Sequence, residues 1–190
     1  GYLPYPGGHF ISYDLSTGLF DDIVAFPDEG IIAMAMDALR GRLFGLTWPS
    51  GKFIVYDLVS AARLTADVSS LGADGCSSVC RSIAVDPRDG AAYFTVPSGH
   101  IVRFACQRRQ LELVSGDTLN KEYFGDYDAS SGRDMAYHWR QAEWNPEECV
   151  IYGIHGNSSY LFRFEPLLER IEVLDRLAPV SAQRRGVMGM

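Results

Sequence analysis

Ile83-Ala84-Val85-Asp86, Pro87-Arg88-Asp89-Gly90 and Ala92-Tyr93-Phe94-Thr95-Val96 form the stretch on which the reading of the fold turns. Two short runs rich in β-branched and aromatic residues flank a cluster of turn formers, the pattern of two strands joined by a tight reversal. The same pattern occurs earlier, as Met34 to Asp37 followed by Arg42 to Leu46, and later, as Ala142 to Asn145 followed by Val150 to Ile154. Each pair leads to a third run with an aromatic at or next to its end (Phe53 to Asp57, Ile101 to Phe104, Leu161 to Phe164) and then to a short fourth run beginning at Arg63, Leu111 or Ile171.

Outward from these units, His9 to Asp14 and Asp22 to Ala25 read as the third and fourth runs of a further, partial unit. The equivalent aromatics Tyr13, Tyr56, Phe104 and Phe164 stand at intervals of 43, 48 and 60 residues. Four short strands per repeat at this period predict an all-β chain of four-stranded antiparallel β-propeller blades, and no helical period competes. The expected organisation is one domain or fragment over 1–190. It comprises a partial blade at 8–29, blades at 30–70, 80–117 and 139–177, an inserted loop at 117–138, and the start of another blade at 186–190.

The Tyr13-Asp14-Leu15-Ser16-Thr17-Gly18 turn, echoed at Tyr56-Asp57-Leu58, resembles the gluconolactonase-type and quinoprotein-type repeats of the propeller superfamily. That resemblance implies the fold and leaves the function open, because propellers host hydrolases, lyases, oxidoreductases and binding platforms. Gly186-Val187-Met188-Gly189-Met190 echoes Gly30-Ile31-Ile32-Ala33-Met34. A four-bladed ring would close one strand short, so part of a larger ring is the expectation. Exposed sheet edges would then call for self-association or further chain. The start at Gly1-Tyr2-Leu3-Pro4, without Met, reads as processed or cut from something longer.

Composition narrows the partners. The 190 residues are 47% hydrophobic and 22% charged, which suits an ordered globular chain. A net charge of −7 argues against a nucleic-acid binder, and no apolar run is long enough to span a membrane. Four cysteines, Cys76, Cys80, Cys106 and Cys149, are too scattered for a disulfide framework. Cys76 and Cys80 lack the second pair that a structural zinc site needs. Cys106 and Cys149 read as strand residues.

In an outward-running meander, the loops leading into first strands and those between second and third strands share one end, over the channel mouth. Ligands of such folds usually bind there. This end collects Trp48 to Gly51, Pro97 to His100 and His155 to Ser158, with Cys80-Arg81 and the long segment from about Gly116 to Trp139. A long loop in a compact domain is more often functional than not. The candidate catalytic residues are His138, His155 and Tyr137; the candidate ligand-binding residues are Arg81, Trp48, Arg140, Asn157, Tyr123 and Tyr127.

A histidine can take a proton at neutral pH, a tyrosine can return one, and an arginine can neutralise a uronate carboxylate. In residue types this set is similar to the sites of propeller polysaccharide lyases such as oligogalacturonate and ulvan lyases. The resemblance implies a saccharide or other small polar ligand, and a secreted or periplasmic setting if the substrate is a polysaccharide. His138 and His155 would hold zinc or manganese if a metal is bound. Asp126 and Asp128 would suit calcium, although their loop lacks a recognisable ligand series. The alternatives are a non-catalytic ligand- or protein-binding propeller with structural histidines, and a lactonase-like metal-dependent hydrolase, for which Glu143 and Asn157 make no convincing ligand set.

Overall fold

The structure, a computed structural model, describes residues 7–71, 80–120, 138–156 and 158–177. Regular structure among these is all strand, apart from a 3-10 turn at Val68–Leu71. Strands β1 (Gly8–Asp14) and β2 (Leu19–Phe26) form a two-stranded sheet. Three antiparallel meanders of four strands follow. The first comprises β3 (Gly30–Asp37), β4 (Arg42–Trp48), β5 (Lys52–Asp57) and β6 (Arg63–Asp67). The second comprises β7 (Ala84–Val85), β8 (Ala92–Thr95), β9 (Ile101–Ala105) and β10 (Gln110–Leu113). The third comprises β11 (Trp139–Asn145), β12 (Val150–His155), β13 (Tyr160–Glu165) and β14 (Arg170–Arg176).

One kind of reversal makes every hairpin at one end of the sheets. Asp14, Asp37, Asp57, Asp86, Ala105, Asn145 and Glu165 open the seven turns, and the residue four places on is left-handed each time. Gly18, Gly41 and Gly90 fill three of those fifth positions, at φ of 70°, 61° and 76°. Ala61, Arg109, Cys149 and Glu169 fill the others, at φ between 52° and 57°. Where the opener is Asp or Asn, its side chain can hold the turn: Asp57 Oδ1 accepts from the N–H groups of Val59 and Ser60, and Asn145 Oδ1 from those of Glu147 and Glu148. Cys106 and Cys149 therefore lie in turns and not in strands, because the five-residue frame takes them in.

Burial ties the sheets together. Second strands are the most enclosed: Leu43 to Thr47 in β4 and all of β8 are buried. Phe53 stacks on Phe94 across the first two meanders with ring centres 5.1 Å apart, and Tyr93 meets Phe164 edge-on across the next two. Innermost strands also lock. Ser82 Oγ accepts from the N–H of Ala142 at 3.0 Å and donates to the Ala142 carbonyl at 3.3 Å, spanning β7 and β11. At the turn end, Arg40 reaches the carbonyls of Pro87 and Arg88, and Arg88 lies 4.8 Å above the Trp144 ring.

Among the described residues, the first sheet has two strands. Its Phe10 packs over Gly45, where an added Cβ would lie 2.9 Å from the ring. Among the described residues, no inner strands cover β3, where Met34 and Met36 stand 58% and 50% exposed, whereas the corresponding Ala142 of β11 is enclosed.

Left-handed backbone costs a side-chain-bearing residue about 1–2 kcal/mol, partly offset by the extra unfolded-state freedom of glycine. Ala61→Gly, at an exposed position, is expected to raise stability by up to about 1 kcal/mol. Gly90→Ala is expected to lower it by more, since the new Cβ would meet Asp37 Oδ2 at 2.5 Å. Thermal and denaturant melts of the two variants check both signs.

Candidate functional site

The opposite end of the sheets carries the loops between second and third strands and the links into first strands. Each such loop contains a left-handed residue, Gly51, Gly99 or Ser159. The carbonyl of that residue accepts an N–H from chain beyond a fourth strand, from Val68, Leu119 and Leu177 respectively. This bond recurs in all three four-stranded sheets.

His138 and His155 sit in this framework, and both are enclosed, at 1% and 0% exposure. His138 immediately precedes β11 and His155 closes β12, where Trp139 pairs with His155. His155 Nε2 donates to the Leu119 carbonyl at 3.0 Å, and its Nδ1 accepts from Ser158 Oγ at 2.7 Å. Both nitrogens are thus occupied in the neutral state, and burial pushes its pKa down to about 4. The imidazole ties the third sheet to the segment leading out of the second.

His138 Nδ1 lies 2.9 Å from Thr95 Oγ1, which also contacts Cys80 Sγ at 3.2 Å. The thiol continues to the Ser82 carbonyl, also reached by the Trp139 indole N–H. Burial pushes the Cys80 thiol up, away from the thiolate. These polar contacts hold the start of β11 against the second sheet, directing His138 at Thr95 and His155 at Leu119 and Ser158. His138 and His155, the candidate catalytic residues and candidate metal ligands, make these contacts with different partners among the described residues. Among the described residues, no three His, Cys, Asp or Glu side chains converge as a metal centre would require.

The candidate arginines are placed differently. Pairing of β3 with β4 skips Ile32, and pairing of β11 with β12 skips Arg140, so both occupy bulges in innermost strands. Each lies five residues before the residue opening the next turn, Asp37 or Asn145. Arg81 stands at the same offset from Asp86, just ahead of β7. Bulges re-aim side chains away from the two faces of a sheet. Arg81 is exposed and Arg140 half-buried. Burial first, and the positive charge of Arg81 second, lower the Arg140 pKa. Trp48 ends β4 at the same end of the molecule and is partly exposed.

Tyr123, Tyr127, Tyr137 and Asn157 lie outside the described residues, as do Asp126 and Asp128. Sequence reasoning missed Ser82, Thr95 and the Leu119 carbonyl as the groups that occupy the histidine end. Among these, the backbone carbonyl has no sequence signature. It also missed the shared offset of Ile32, Arg81 and Arg140, although counting back from Asp37, Asp86 and Asn145 would have found it. At the turn end a cleft of about 360 Å³ is lined by charged residues including Arg88 and Arg103, but Arg88 pairs with Asp86 and Arg103 with Asp89.

With this geometry in view, known structures are similar in fold. One is a structural-genomics protein of unknown function from Bacteroides thetaiotaomicron, with a TM-score of 0.58 and 15% identity over 84% of this chain and 36% of that one. Another is a streptogramin B lyase, with a TM-score of 0.58 and 15% identity over 86% of this chain and 46% of that one. The chain is a stretch of β-propeller. The likeness is one of fold, and the stretch spans less than half the length of either structure. No family model matches the sequence, and no curated protein does.

Unfolded His155 takes up a proton near its ordinary value of 6.5, while the folded residue resists protonation until about 4. The unfolded chain therefore binds more protons between these values, and stability falls as pH drops from 6.5 to 4. The expected loss from this residue is on the order of 3 kcal/mol. Melts across that window should show it, and His155→Gln should be less stable at pH 7.5 but show a shallower decline on acidification.

Proposed function

We propose that this chain is a ligand-binding part of a propeller, taking a polar or carbohydrate ligand where the innermost strands converge, without acid–base catalysis by its histidines. The observation that carries this reading is the division of labour at the mouth end. His138 and His155 are buried in structural networks, while the exposed Arg81 and half-buried Arg140 stand at one offset ahead of the turns that follow adjacent innermost strands. Trp48, at the same end, supplies an aromatic surface on which a sugar ring can stack.

A lyase reading needs a base that reaches the proton it removes. His155 would first have to give up Ser158 at Nδ1 or Leu119 at Nε2, and it is enclosed throughout. The polysaccharide-lyase and lactonase alternatives have no comparable support among the described residues.

Thermal-shift and calorimetric titration against neutral saccharides and uronates is expected to reveal binding that is weakened in Trp48→Ala. The same uronate-containing polysaccharides should show no growth of ultraviolet absorbance from unsaturated product. Turnover abolished by His138→Ala or His155→Ala in folded protein would replace the binding reading with the lyase.

A further inference from the structure

We propose that the outer face of the third meander receives the two-stranded sheet of a second copy of this chain, so that two copies close head to tail into one ring. The contact is one that the chain already makes twice within itself, and it is independent of any ligand at the mouth.

The donor half is a row of side chains that third and fourth strands present to the sheet before them. In the second meander the row is Val102, Phe104 and Leu111, with Phe104 opposite Leu111. In the third it is Phe162, Phe164 and Ile171, with Phe164 opposite Ile171. Phe104 meets Phe44 of the first meander edge-on with ring centres 6.0 Å apart, and Phe164 meets Tyr93 of the second in the same way, also at 6.0 Å. Apart from the half-buried Leu111, both rows are buried. The two-stranded sheet carries the same row as Ile11, Tyr13 and Phe20, with Tyr13 opposite Phe20. Here the three residues stand 56%, 50% and 72% exposed. A contiguous exposed apolar row whose counterparts are core residues marks a contact surface.

The acceptor half faces the other way. Phe44, Tyr93 and Tyr152 each stand seven residues beyond a turn opener, Asp37, Asp86 or Asn145. In the second meander Tyr93 lies opposite Arg103, and Arg103 opposite Glu112. In the third, Tyr152 lies opposite Arg163, and Arg163 opposite Glu172. An acid three residues beyond the opener completes each set, Asp89 pairing with Arg103 and Glu148 with Arg163. Phe164 covers the set on the second meander, leaving Tyr93 3% exposed. Its replica on the third meander has half-buried Tyr152 and Arg163 and exposed Glu172, and among the described residues no sheet lies over it. Tyrosine and arginine are the side chains that most often carry the energy of a protein interface.

The array of sheets therefore has a donor face without an acceptor on one side and an acceptor face without a donor on the other. Each is a copy of a half that finds its match elsewhere in the same chain. A second copy supplies both missing halves at once, through a heterologous contact made twice around the closed pair. Twice the four sheets of one copy falls at the upper end of the roughly four to eight blades that propellers use.

The test is sedimentation equilibrium of the intact chain at micromolar loading, where twice the mass of one chain is expected. Tyr13→Asp and Tyr152→Asp should each raise the dissociation constant at least tenfold, because each places a carboxylate in the contact. Circular dichroism of both variants should match wild type, since neither side chain is buried. Mixed in equal amounts, the two variants should associate more tightly than either alone, because one of the two contacts in a mixed pair is wild type on both sides. A monomer at every loading would overturn the proposal. Association weakened by Tyr13→Asp but not by Tyr152→Asp would set the two-stranded sheets against each other, and association indifferent to both would put the contact elsewhere; either result overturns it. So does a mixture no more associated than its parts.

Discussion

Each hairpin at the turn end of the sheets demands a left-handed residue at the fifth position, often with a side-chain oxygen at the first to hold the reversal. This demand sets more than the loops. With the turn openers fixed at Asp37, Asp86 and Asn145, the register of every first strand against its second is fixed as well. A residue counted back from the opener therefore reaches the same height in each blade. The bulge positions Ile32 and Arg140 share this frame, each five residues before its turn opener. Four of the seven fifth positions are not glycine. That these turns persist shows how strongly the flanking strand pairing and aromatic packing impose the conformation.

At the mouth end the frame is closed by different means. Carbonyls of left-handed residues in the second-to-third loops catch the chain leaving the fourth strands. Two buried histidines then stitch the second and third sheets together. His155 serves as a neutral imidazole, one nitrogen donating and the other accepting, so proton uptake would break a contact as well as charge an enclosed ring.

The fold was legible because strand alternation, aromatic repeats and turn chemistry agree within every repeat, from Tyr13-Asp14 to Phe164-Glu165. The arginines were legible as residue types at the mouth end. Their shared offset from Asp86 and Asn145 could have been counted from the sequence. The histidines were legible as residue types at the mouth end, and their contacts were not. His155 looked like a loop residue beside other polar groups, but its partners are Ser158 and the backbone carbonyl of Leu119, 36 residues away. Cys106 and Cys149 looked like strand residues because the turn frame accepts side chains where glycine would be expected.

The most direct measurement is a proton NMR titration of the His155 ring in the intact chain. An enclosed neutral imidazole bonded at both nitrogens is expected to titrate at about 4, well below the ordinary value of 6.5. Titration near 6.5 would contradict this placement of the ring.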